Sequence, residues 1–320
     1  MIEVNQLTKH FDICKAVDNV SFTVEKGEIL GFMGPNGAGK STTMRMITGY
    51  LPPSSGTAVI GGRDIVQDGL SARKMIGYLP ENAPVYREMT VLSFLDFIAE
   101  IRGFSGDRRR SAVSAAIEKC FLAEVRNQSI GTLSKGFKQR VCFAQSILHD
   151  PPYLILDEPT DGLDPNQKHE VRQMIRDMSG EKAVILSTHI LDEMDAVCTR
   201  VIVIDDGKLV ADDTPDGLRA RSKTHGAVSL LVSAALPEGL AEDIGQIQDA
   251  GSWEVTEEPD GFRLRVFPRK PGLSIAPQIL SLALSRGAQI QSVFVEQGRL
   301  DEVFRSITTG GDRTPEKESA

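Results

Sequence analysis

The nine residues GPNGAGKST, 34–42, set three glycines, a lysine and two hydroxyls at a spacing suited to the end of a nucleotide triphosphate. They fit G-x-x-x-x-G-K-[ST] at Gly34, Gly39, Lys40 and Ser41. With Pro35, Asn36, Gly37, Ala38 and Thr42 completing the run, the N–H groups of 36–42 can close around the β- and γ-phosphates, because glycines put no Cβ in the way. Lys40 brings a full charge to the terminal phosphates. The Ser41 hydroxyl is a candidate Mg²⁺ ligand, and the helix that follows turns its positive end to the anion.

Two further segments supply acid–base groups. In YLILDEPT, 153–160, an apolar run delivers Asp157 and Glu158 at its end. Asp157 suits Mg²⁺, usually through a water, and Glu158 is the candidate general base for an attacking water. AVILSTH, 183–189, ends another apolar run at Thr188 and His189. A histidine at a strand end is more often structural than catalytic. The presence of Lys40 and Glu158 at neighbouring strand ends reverses that, so His189 is expected to contact the γ-phosphate and the attacking water.

These groups need a scaffold that brings strand ends together. EILGFM (28–33), YLILD (153–157), AVILS (183–187) and VIVID (201–205) are near-continuous apolar runs separated by amphipathic stretches. Such runs suit strands buried on both faces of a parallel sheet, whose carboxyl edge is where open α/β folds bind ligands. DG at 206–207 signals a hairpin after VIVID. A mostly helical insert is expected over about 85–150, its first helix capped by Thr90, with Val91, Leu95, Ile98 and Ile101 at helical spacing. The pattern changes after residue 222. From 225 to 308 the order reads β-α-β-β-α-β with a closing helix, the split βαβ arrangement of a small ferredoxin-like α+β domain. Residues 309–320 have little apolar content and read as a disordered tail. The fold class is therefore α/β of the P-loop type, 1–222, with a helical insert, plus a smaller α+β domain, 225–308.

Composition narrows the partners. Lys+Arg is 36 against Asp+Glu 44, a net charge of -8, which argues against nucleic acid. The four cysteines form no CxxC and read as small buried apolar residues in a reducing compartment. No apolar run approaches the roughly 18–20 residues that span a bilayer, and the first residues lack the apolar core of a signal peptide. The expectation is a cytosolic chain that reaches a membrane only through a partner.

One more segment bears charge. LSKGFKQR, 133–140, reads as the start of a helix built for an anion, with Ser134 as N-cap, Gly136 open, and Lys135, Lys138 and Arg140 positive. Together with GPNGAGKST, LILDEPT, DGLDP and STH, in that order, it resembles the ATP-binding subunits of ABC transporters over residues 2–220. The resemblance implies that two such domains pair head to tail, each ATP lying between the phosphate loop of one and the signature of the other. Ser134, Lys135 and Gly136 would then face the γ-phosphate in a second chain, an identical copy or a close relative, because one loop and one signature make half of each site. It further implies that Phe11 stacks on adenine with Val17 beside it, that Asp164 belongs to the loop linking the two sites, and that the insert faces an integral-membrane permease.

Three positions depart from the family pattern, one of them Phe137, where the family has Gln. Glu81 stands for the usual Gln; a carboxylate can ligate Mg²⁺ and also repels the γ-phosphate. Lys135 replaces a glycine, either adding charge toward the phosphate or pointing to solvent. GYLPENAPVYREMTV, LSKGFKQRV and VEQGRLDEVFRSIT resemble ABC-2-type exporters, in particular the gliding-motility-type group. The implied function is ATP binding and hydrolysis with Mg²⁺, energising export through the permease from the inner face of the membrane. The alternative is an ABC-type ATPase without transport, acting on ribosomes or DNA.

Overall fold

The computed structural model describes residues 1–82, 84–233, 236–270 and 272–308. The expected tail, 309–320, lies outside them. The chain divides into two units, Met1–Asp213 and one beginning at Thr214.

The first unit opens with a hairpin, β1 (Ile2–Phe11) and β2 (Cys14–Val24), after which β3 (Ile29–Met33) leads into α1 (Lys40–Ile47). A second hairpin, β4 (Ser55–Ile60) and β5 (Arg63–Asp64), runs through α2 (Gly69–Lys74) to β6 (Ile76–Leu79). The insert then supplies α3 (Val91–Ile101), α4 (Gly106–Lys119) and α5 (Lys135–Ile147). The chain next alternates β7 (Tyr153–Asp157), α6 (Pro165–Ser179), β8 (Ala183–Thr188), α7 (Leu191–Val197) and β9 (Arg200–Asp205), ending in β10 (Lys208–Asp213).

Six strands form one sheet in the order β10-β9-β3-β8-β7-β6. All but β10 are parallel, as their unbroken apolar sequences require: every residue of β3 and β8 is buried. The β9–β10 hairpin turns at Asp206 and Gly207, both with positive φ (48° and 75°), the geometry of a type I′ turn. The second sheet, β2-β1-β4-β5, is antiparallel, and α1 lies against both. Ile2, Leu7, Phe32, Met44, Ile47 and Ile185 belong to the shared core.

Register decides where the chemistry goes. Met33 pairs with Thr188, and Asp157 pairs with Ser187. The carboxyl ends of β3, β7 and β8 are therefore level, and the segments carrying Lys40, Glu158 and His189 leave the same edge of the sheet.

In the insert, Thr90 caps α3 and accepts the Ser93 N–H at 3.1 Å. The buried stripe is Val91, Phe94, Leu95 and Ala99, whereas Ile101 is 65% exposed. Ile98 is half-buried, and the helix ends at Ile101, beyond the packed turns. Cys120, Cys142 and Cys198 are buried, but Cys14 is exposed at the β1–β2 turn.

The second unit begins nine residues before the position at which the pattern changes. Thr214 caps α8 (Pro215–Arg219), accepting the Gly217 N–H at 3.0 Å. There follow β11 (Val228–Val232), α9 (Leu240–Ile244), β12 (Ala250–Glu258), β13 (Gly261–Pro268), α10 (Ala276–Ser285), β14 (Ile290–Val295) and α11 (Leu300–Thr308). The sheet order β12-β13-β11-β14, antiparallel throughout, is the split βαβ order. Val228, Leu230, Val232, Leu264 and Val266 alternate onto one face, where Leu240, Ile244, Ile279 and Ala283 cover them.

Candidate active site

A cavity of 530 Å³ opens at the level edge of the parallel sheet, lined by Ala16, Asn36, Gly37, Gly39, Lys40, Ser41, Thr42, Glu81, Glu158, Asp161 and His189. Its floor is the loop between β3 and α1. Gly39 has φ +107°, and a Cβ there would stand 2.5 Å from the Ala16 carbonyl oxygen, so only glycine allows the loop to close this tightly. Gly34 is packed as closely, its Cβ position lying 2.3 Å from the Ile204 carbonyl oxygen. Pro35 and Ala38 shape the loop without lining the cavity; Ala38 donates its N–H to the Pro35 carbonyl at 3.2 Å.

Lys40 is the buried cation of the site. Its Nζ donates to the carbonyls of Gly34 (2.7 Å) and Pro35 (3.1 Å), and stands 4.0 Å from Glu158 Oε1. Burial lowers its pKa, and the carboxylates of Glu158, Asp157 and Glu81 pull it back up. An incoming phosphate would meet an ammonium already held in place by two carbonyls.

Asp157, at the end of β7, is wholly buried. Its Oδ1 accepts from Ser187 Oγ at 2.5 Å and from Ser41 Oγ at 3.2 Å. Its Oδ2 is buried with no hydrogen-bond partner among the described residues. A buried acceptor left unpaired costs about 1–3 kcal/mol. A divalent cation beside Ser41 and Asp157 would satisfy it, so this pair fits Mg²⁺, with phosphate oxygens and water as the remaining ligands. Glu81 lines the same cavity from the segment after β6.

Glu158 follows with φ +48°, a left-handed conformation that costs a non-glycine residue roughly 1–3 kcal/mol and clusters at functional sites. Its N–H is held by both the carbonyl (3.1 Å) and the hydroxyl (3.1 Å) of Ser187. The carboxylate meets His189 Nδ1 at 3.0 and 3.1 Å. Burial raises the Glu158 pKa, and the His189 hydrogen bond opposes that rise. A buried carboxylate with a raised pKa, oriented by an imidazole and facing an ammonium, has the attributes of a general base beside a phosphoryl group. His189 itself remains half-exposed at the cavity mouth.

Other expected positions lie elsewhere. Val17 is wholly buried in the core beneath Gly39, and its neighbour Ala16 faces the cavity instead. Phe11 is 46% exposed at the β1–β2 turn with the Lys9 ammonium 5.3 Å from its ring; it does not line the cavity. Asp164 caps α6, accepting the Gln167 N–H at 3.0 Å. Ser134 caps α5 and accepts the Phe137 N–H at 3.3 Å, while Gly136 is buried against Gln167. Ser134, Lys135 and Gly136 are all outside their own chain's cavity.

Three residues were missed by sequence reasoning. Ser187 binds both Asp157 and the Glu158 backbone from a strand 30 positions away. Asp161 lines the cavity beside His189. Glu193, 1% exposed, accepts from Thr188 Oγ1 at 2.9 Å and pairs with Lys168 at 3.2 Å, anchoring α7 behind the β8 end. Only the STH context of Ser187 offered a signal.

The ABC transporter family model matches residues 17–161. The ABC transporter ATP-binding protein YbhF of Escherichia coli (strain K12) is 40% identical over 224 residues, 69% of this chain; the chain spans 38% of that relative's length. The daunorubicin/doxorubicin resistance ATP-binding protein DrrA of Streptomyces peucetius is 30% identical over 319 residues, covering 99% of this chain and 95% of the relative. The chain belongs to the ABC transporter ATP-binding family. Its first unit is the ABC cassette: a dimeric structure of the bacterial ABC transporter cassette MJ0796 matches with TM-score 0.63 at 25% identity, over 67% of this chain and 99% of that one.

If the ABC phosphate loop depends on its buried ammonium, Lys40→Ala loses at least about a hundredfold in ATP affinity by calorimetry, since it removes a charge-assisted contact and leaves Glu158 facing the phosphate unopposed. Unchanged affinity would contradict the assignment.

Proposed function

We propose that the chain is the ATP-hydrolysing subunit of an ABC-2-type exporter, working as a pair on a separate integral-membrane permease. The observation that carries the reading is the division of anion-binding groups into two separate sets. Lys40, Ser41, Glu158 and His189 line one cavity, whereas the Ser134–Gly136 helix start lies outside it. A second copy brings its own helix start to the first copy's nucleotide, and each site is completed by the other chain. Ser134 and Lys135 are exposed, as a surface that meets a partner requires. The dimeric cassette structure and DrrA, named for drug resistance, support the pairing and the exporter class. The gliding-motility-type grouping rests on the segments 77–91, 133–141 and 295–308.

In hydrolysis, water attacks the γ-phosphorus, the bond to the bridging oxygen breaks, and ADP leaves with the bridging electron pair. Glu158 takes the proton of the attacking water, and His189 holds the Glu158 carboxylate and faces the γ-phosphate. Lys40 compensates charge on the terminal phosphate. Mg²⁺, when bound by Ser41 and Asp157, would neutralise phosphate charge, with Glu81 available at the cavity wall. Among the described residues no helix is long and apolar enough to cross a membrane; in this reading the permease provides the attachment.

Glu158→Gln is expected to bind ATP, to turn over at less than about one hundredth of the parent rate, and to elute as a dimer with ATP on a sizing column. A monomer at saturating ATP would contradict the shared site. His189→Ala removes the contact that holds the Glu158 pKa down. The base must be ionised, so the acidic limb of the remaining activity moves to higher pH; an unmoved limb would show that His189 does not act on Glu158.

A further inference from the structure

Lys135, at the position where the resemblance implies a glycine, neither lines its own chain's cavity nor points to bare solvent. Its Nζ donates to Asp161 Oδ2 at 2.9 Å. Asp161 comes three residues after Glu158 and lines the chain's own nucleotide cavity. The lysine stem crosses Gly162, where a Cβ would lie 2.1 Å from Nζ and 2.7 Å from Cε, and where φ is +66°. Glycine at 162 keeps that path open.

The remaining contacts between the start of α5 and residues 159–170 are packed. Gly136 sits on Gln167, the Gln139 amide donates to the Pro159 carbonyl at 3.3 Å, and Arg140 pairs with Glu170. These hold the helix. The Lys135–Asp161 pair is different, with side chains 65% and 50% exposed, so it can open without unpacking anything. An exposed ion pair is weak in water, and a terminal phosphate bearing more than one negative charge in a water-poor interface outcompetes it.

We propose that Asp161 is a positioning residue that holds Lys135 back in the unpaired chain, and that pairing transfers the Lys135 ammonium to the terminal phosphate of the nucleotide in the adjoining copy. The inference rests on the shared-site reading above. Transfer leaves the Asp161 carboxylate uncompensated beside its own Glu158 and His189. The Lys135 hydrogen bond lowers the Asp161 pKa, so the carboxylate it grips is ionised at neutral pH.

The test uses the Glu158→Gln protein and reads, by light scattering, the ATP concentration at half-dimerisation. Asp161→Asn is expected to lower it about two- to fivefold, the scale of an exposed ion pair, and Lys135→Ala to raise it. Once Lys135 is Ala, Asp161→Asn should change nothing further; with Lys135→Arg the Asp161 dependence should persist. An equal effect of Asp161→Asn with and without Lys135 overturns the proposal, because Asp161 would then act directly on its own nucleotide. If the parent pairs but Asp161→Asn leaves its midpoint unmoved, the holding role alone fails. If the parent does not pair at all, the shared site fails and the transfer with it.

Discussion

The structure turns on one buried ammonium set among carboxylates. Lys40 is 6% exposed, and a cation so placed is tolerable only with partners: two loop carbonyls, and the fields of Glu158, Asp157 and Glu81. The same carboxylates repel one another, and the ammonium among them offsets that repulsion. Burial raises the Glu158 pKa even with Lys40 and His189 nearby. The pocket is thus a balance of opposite charges, in which Oδ2 of Asp157 is buried without a hydrogen-bond partner among the described residues.

That balance needs placement within tenths of an ångström, which the parallel sheet provides. Levelling β3, β7 and β8 by hydrogen-bond register lets three loops from distant parts of the chain converge. Ser187 then ties two of them together, gripping both the carboxylate of Asp157 and the backbone of Glu158. The strained φ of Glu158 persists because that grip over-determines it.

What could be read from the sequence was local. The phosphate loop is a strand, a turn and a helix in one contiguous run, and Asp157–Glu158 close an apolar strand. The β-α-β-β-α-β order of the second unit showed in the alternation of Val228, Leu230 and Val232 and in the PDG turn. What could not be read depends on distance or on strand parity. The Lys135–Asp161 pair spans 26 residues, and nothing in LSKGFKQR announces it. Val17 and Ala16 exchange roles because β1 and β2 shift register between Leu7 and His10, and each shift resets which side chain faces which way. The unit boundary moved to Thr214 because a capped helix, α8, precedes the change in composition.

The helix start at Ser134–Gly136, proposed above to meet the nucleotide of a second copy, is the feature on which that reading turns. Ser134 and Gly136 belong to a helix packed firmly on residues 159–170 of its own chain, yet its N-terminal end lies away from its own nucleotide cavity. The direct measurement is a structure of the Glu158→Gln protein with ATP and Mg²⁺. The account predicts Ser134 and Gly136 of an adjoining copy within hydrogen-bond reach, roughly 3 Å, of the terminal phosphate. A nucleotide bound at full occupancy with those residues facing solvent would contradict it.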